Sequence, residues 1–153
     1  MPAPSFFEWL STSPIANAMN GPEWAFPVVE SLHFIGFAFS IGTIAIMDLR
    51  LLGLLLRRQP ARELARDLNR YTLFGLGLML ITGPLMFSAD AVAYHNNPSF
   101  QFKMVCLTIA LLFHFTLHRK ATQSSGAWTR FAGALSLLLW TCVVAGGRMI
   151  AFV

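Results

Sequence analysis

The sequence predicts an all-α fold: an integral membrane four-helix bundle preceded by an N-terminal interfacial amphipathic segment. Three observations predict it. The 153-residue chain is 56% hydrophobic and only 12% charged, whereas soluble domains are roughly 45–50% apolar and about 25% charged. A soluble chain of this size could not hide so much apolar surface, because small domains leave much of their surface in solvent. Four apolar stretches recur along the chain, each near the roughly 17–25 residues that cross a hydrocarbon layer as a helix. Most of the basic residues gather in two connecting segments. A single domain, residues 1–153, accommodates all of this.

The elements follow in order. Phe6, Phe7, Trp9 and Leu10 crowd around Glu8, and Ser13-Pro14 reads as a helix start with proline in the first turn. Trp9 and Trp24 suit the headgroup layer, so this segment is expected to lie on the membrane. Met1 to Leu10 lacks the basic and long apolar regions of a signal peptide, and the first span is expected to act as its own insertion signal. The spans are predicted at about 26–47, 71–89, 102–118 and 131–153. Pro27 opens the first, where a missing N–H is harmless. Between the first two spans, Leu64 and Leu68 stand at i, i+4 on charged ground and predict a short amphipathic surface helix. Gly36, Gly42, Gly75, Gly77 and Gly83 suit close helix contacts.

Loop charge gives the orientation. Arg50, Arg57, Arg58, Arg62, Arg66 and Arg70 lie at the first connection, and Arg119, Lys120 and Arg130 at the third. The positive-inside rule puts both in the cytoplasm, with both termini periplasmic, in a bacterial inner membrane. The net charge of +4 is thus a topology signal; no aromatic-and-basic surface points to nucleic acid. The lipid bilayer is the expected partner, with further membrane subunits or a second copy of the chain beside it. Cys106 and Cys142 sit in apolar stretches without Cys-x-x-Cys spacing and read as small hydrophobes.

Ionisable residues inside a span are costly, and each is a candidate site residue. Counting residues inward, His33, Lys103 and Arg148 fall near one level of the outer half, close to Glu30 and the loop residues Asp90 and His95. A structural reading pairs Glu30 with Lys103 or Arg148 as a helix-pinning ion pair. Asp48 and Arg50 read as a helix-end pair at the cytoplasmic interface. His114 and His118 share one face at i, i+4. They could share a metal ion but cannot be opposite axial ligands of one haem. His118 heads a basic run and is expected at the interface. Met79, Met86, Met104 and Met149 lack copper-type spacing and read mainly as core fillers.

Several strings carry a resemblance. Phe26-Pro27, Leu32-His33, Asp48-Leu49-Arg50-Leu51-Leu52-Gly53, Thr82-Gly83, Asn97-Pro98-Ser99-Phe100 with Lys103-Met104, and Trp140 with Gly147-Arg148-Met149-Ile150-Ala151-Phe152 resemble an uncharacterised bacterial family of four-helix membrane proteins. The chain is more distantly similar to HemJ-type protoporphyrinogen oxidases, which bind haem b, and to CopD-type copper-resistance membrane domains. The HemJ resemblance implies roles for a first-span histidine and a later lysine, here His33 and Lys103. The chain departs from that pattern in lacking a Pro-Arg motif after the first-span histidine.

The expected function is b-type haem binding near the periplasmic side, for electron transfer or porphyrin chemistry. His33 is the expected axial ligand, with Lys103 and Arg148 facing the propionates. His95, Met86 or no residue would complete the iron. The alternatives are a cofactor-free accessory subunit or small transporter, and a copper-handling protein. Whether the chain is an enzyme stays open.

Overall fold

The computed structural model describes residues 5–124 and 126–152. Met1 to Pro4 of the expected interfacial segment, and Val153 at the end of the expected fourth span, lie outside the described residues. Among the described residues seven helices follow one another: α1 (Phe6–Ser11), α2 (Pro14–Asn20), α3 (Ala25–Leu51), α4 (Ala61–Ala89), α5 (Ala91–Asn96), α6 (Pro98–Ala121) and α7 (Ala127–Met149). A 3-10 turn, Ile150–Phe152, extends α7. No strand occurs among the described residues. Helices α3, α4, α6 and α7 are long and apolar enough to cross a membrane, and the chain is an all-α membrane protein.

Local chemistry sets the helix ends. Ser5 and Glu8 form a reciprocal capping box on α1, and Ser13 caps α2 with Pro14 in its first turn. Asp90 accepts from the Ala93 N–H at the start of α5, while Asn97 accepts from Ser99 and Phe100 at the start of α6. Helix α3 ends in a Schellman motif. Leu54 N–H bonds the Leu49 carbonyl, Gly53 N–H bonds the Arg50 carbonyl, and Gly53 takes a φ of 77°.

Several boundaries differ from the sequence expectation. The amphipathic stretch carrying Leu64 and Leu68 is not a separate surface helix; it is the first three turns of α4. With no Pro or Gly between Ala61 and Tyr71, nothing interrupts the hydrogen-bond ladder, and Leu64 packs in the core. Helix α6 is longer than predicted at both ends, because Asn97-Pro98 starts it early and a five-residue π-helical turn, His114–His118, carries it on to Ala121. Helix α7 likewise begins at Ala127, one turn before the predicted 131.

The four spanning helices pack in the order α4, α3, α7, α6, and α4 and α6 scarcely touch. The α3–α4 seam is the tightest. A Cβ on Gly75 would stand 2.4 Å from the Ser40 nitrogen and 2.5 Å from the Gly36 carbonyl oxygen. Only glycine permits that backbone approach. On the other side, Gly146 lets α7 meet Lys103 of α6, and Gly133 lets it meet Leu51 and the Asp48 carbonyl of α3. Ile44, Leu76, Cys106, Ala110, Trp140 and Val143 form one core cluster; Met47, Leu51, Leu64, Phe113, Ala121 and Ala132 form another nearer the basic loops. Both cysteines are free thiols.

The N-terminal helices clasp the end of the bundle opposite the basic loops. The Asn20 amide donates to the Ala89 carbonyl at 2.8 Å, and Ala91 N–H donates to the Ser11 hydroxyl at 3.0 Å. Phe7 stacks on the His95 ring with centroids 3.8 Å apart.

Candidate functional site

Polar side chains meet at both ends of the bundle. At the terminal end, His33 of α3 bonds Thr82 of α4, Nδ1 to Oγ1, at 2.8 Å. The Thr82 hydroxyl donates its own hydrogen to the Leu78 carbonyl at 2.7 Å. Having spent its hydrogen there, it accepts from His33, which therefore carries its proton on Nδ1 and a bare lone pair on Nε2. Gly83 leaves room beside the ring: a Cβ there would stand 3.6 Å from Cε1.

Lys103 lies within electrostatic reach of His33. Its stem runs along Gly146 and Gly147 of α7, and its ammonium forms no hydrogen bond or ion pair among the described residues.

The other expected members of this outer cluster are elsewhere. Arg148 is exposed, with its guanidinium over the Phe152 ring, 5.4 Å from the centroid. It meets no carboxylate among the described residues, so the ion pair with Glu30 does not form there. Glu30 approaches Tyr94 together with Asp90; burial first, and these two carboxylates next, push the Tyr94 phenol above its ordinary value. His95 is occupied against Phe7. Met86 is half-buried one turn beyond Thr82 on α4, on the same helix face. Met79 accepts a hydrogen bond from Ser40 at its sulfur, 3.2 Å away. No group of three or more His, Cys, Asp or Glu side chains comes together among the described residues.

The basic end is more deeply built. His118 Nε2 and Asp48 Oδ1 are 2.6 Å apart, with side-chain exposures of 3% and 0%. Asp48 is therefore not paired with Arg50, whose Nε donates instead to the Gln59 carbonyl at 2.8 Å. The physical reason is helical phase. Asp48 follows Ser40 and Ile44 on the buried stripe of α3, whereas Arg50 is turned toward the loop. His118 is buried rather than interfacial because α6 runs on past it to Ala121.

His114 stacks on His118 with centroids 5.2 Å apart and meets Trp140 edge-on. His114 Nδ1 is buried without a hydrogen-bond partner among the described residues, and the buried Ser136 hydroxyl of α7 approaches the Asp48 carboxylate. The π-helical turn sets these two rings; such turns often mark functional positions. On the open side of the bundle lies a cavity of about 380 Å³. It is floored by Thr43, Ile44 and Met47, and both histidines line it.

This arrangement coincides with a known grouping of sequences. Residues 6–153 match a family of unknown function, DUF6644. The chain belongs to that family. No curated protein and no solved structure matches it.

Sequence reasoning singled out His33 and Lys103 and did not pair Asp48 with His118 or foresee the cavity. A signal was present: Ser40, Ile44, Met47, Asp48 and Leu51 recur at helical spacing as one buried stripe.

Proposed function

We propose that this protein binds a b-type haem at the terminal end of the bundle and serves electron transfer across or along the membrane. One observation carries the reading: the Thr82 clamp that leaves His33 Nε2 bare. A histidine that ligates a metal typically gives its other N–H to an acceptor, which holds both tautomer and ring orientation. His33 would hold the iron, and the unpaired Lys103 ammonium beside it would take a propionate. The donor set fits the group on the protein side, and the first-span histidine with a later lysine is also the HemJ-type pattern. Bound haem would supply one-electron chemistry. The chain's own part is to present the Nε2 lone pair, neutralise an anionic edge and exclude water with the apolar seam around Gly36 and Gly75. Arg148, turned toward Phe152, is left out of this set, and Met86 is the remaining candidate for a second ligand.

Loop charge supports a cytoplasmic location for both basic connections and a periplasmic one for the haem end, in a bacterial inner membrane. A second reading rests on the same clamp. A His33–Thr82 bond also pins α3 to α4, as an accessory subunit without cofactor would need.

An absorption spectrum separates the two. Protein purified after expression with ample haem should show a Soret band, and His33→Ala should lose more than nine-tenths of it, a loss of about tenfold. A colourless wild-type protein of unchanged fold leaves the accessory reading.

A further inference from the structure

The cavity at the basic end calls for a ligand of its own, independent of any cofactor near His33. Its polar lining includes Arg62 and Arg66 of α4, Arg119 of α6, and the rings of His114 and His118. No Asp or Glu lines it. Three arginines thus share one pocket without a counter-charge in its lining. Asp48 lies behind His118 and is bonded to it, while Glu63 and Asp67 neighbour these arginines along α4 without lining the cavity. From there Asp48 orients the imidazole; with Nε2–H given to Asp48, Nδ1 of the neutral ring is left as an acceptor, suited to a hydroxyl carried by the ligand, while its anionic oxygens fall to the arginines. Buried, unpartnered His114 Nδ1 adds a second polar atom that the protein itself does not satisfy.

Thr72, whose hydroxyl bonds Thr43 at 2.7 Å, and Asn69 complete the polar wall. Because α4 and α6 scarcely touch, the pocket opens between them, reachable both from the basic face and from the side.

We propose that this cavity is a binding site for a phosphate-class oxyanion, held by Arg62, Arg66 and Arg119 and by His118 positioned on Asp48. Guanidinium forks match a tetrahedral oxyanion by paired N–H bonds, which a lone ammonium cannot reproduce. Two sources share that chemistry: free inorganic phosphate, and the headgroup of an anionic phospholipid entering between α4 and α6.

The test uses the whole chain, stripped of lipid in detergent. Inorganic phosphate is titrated in by calorimetry, and separately the protein is reconstituted with phosphatidylcholine containing phosphatidylglycerol and its retained lipid read by native mass spectrometry. Saturable phosphate binding that falls at least tenfold in Arg62→Gln/Arg66→Gln/Arg119→Gln supports the free anion. Selective retention of phosphatidylglycerol, lost in the same variant, supports the headgroup. Arg57→Gln/Arg58→Gln is the control, because those residues lie in the loop just before α4 and do not line the cavity. His118→Gln should weaken binding as well; should it unfold, the arginine variants still decide, since Arg62, Arg66 and Arg119 are exposed. Neither ligand binding, or equal losses in the control, would overturn the proposal.

Discussion

The two ends of the bundle handle buried polarity in different ways. At the terminal end, His33 is half-buried, its bond to Thr82 is between neutral groups, and Lys103 forms no ion pair among the described residues. At the basic end, Asp48 and His118 are fully enclosed and bonded to each other, and the arginines stay exposed at the cavity rim. A polar group at partial depth can satisfy itself through one neighbour or by reaching toward headgroups. A carboxylate enclosed by helices has neither escape, so it is retained only with a bonded partner. The difference teaches where buried polarity serves stability: the enclosed Asp48–His118 pair is a framework that ties α3 to α6, whereas the terminal end leaves its polar groups at partial depth.

The largest expected effect breaks that framework. Asp48→Ala leaves His118 enclosed without its acceptor, and losing one member of a buried pair costs about 3–5 kcal/mol. Denaturation in detergent should show the loss, with Asp48→Asn less affected because an amide oxygen still accepts from Nε2. If His33→Ala were as damaging to stability as Asp48→Ala, the contrast between the ends would collapse.

Next comes the seam that joins them. Gly75→Ala places a methyl against backbone atoms of Ser40 and Gly36, which cannot yield as a side chain would. A loss of about 1–3 kcal/mol is expected. Gly77→Ala is the control. A Cβ there meets nothing within 4 Å, and an alanine in mid-helix should be neutral or stabilising by up to about 1 kcal/mol.

The smallest effect sharpens the terminal site. Thr82→Val keeps the shape but removes the acceptor of His33 Nδ1–H, at a cost of about 1 kcal/mol. The change in ring orientation should be larger than the change in stability. Nitrogen chemical shifts of the imidazole should show mixed tautomers in the variant and a single Nδ1–H form in the parent. A single, unchanged tautomer in Thr82→Val would remove the clamp from the argument.

How much of this was legible in the residues varies from element to element. The four spans were visible because each is a long apolar run, and hydrogen-bond satisfaction in lipid leaves a helix as the one local solution. The Ser13-Pro14 start was readable for the same reason: capping is a matter of a few adjacent residues. His33 and Lys103 were picked out by the expense of a titratable group in hydrocarbon, which is a property of the residue type alone. Arg148 was not predictable in the same way. The guanidinium has a long stem, and the choice between turning inward and lying over Phe152 depends on helix rotation.

The sequence by itself determined an all-α membrane protein, the approximate spans, the segregation of basic residues at one end, and a histidine and a lysine at the other. Those outcomes depend on transfer of side chains into lipid and on local hydrogen bonding, both of which act over a few residues. Only the tertiary structure decided that Asp48 meets His118, seventy positions away. It also decided that α4 and α6 leave a cavity between them, and that Gly75 rather than Gly77 is the close-contact glycine. Each of these depends on the rotation of one helix about its axis relative to another, set by how knobs and gaps interlock along the whole seam. A turn of about 100° per residue separates neighbours on a helix, and packing between helices selects which one faces inward.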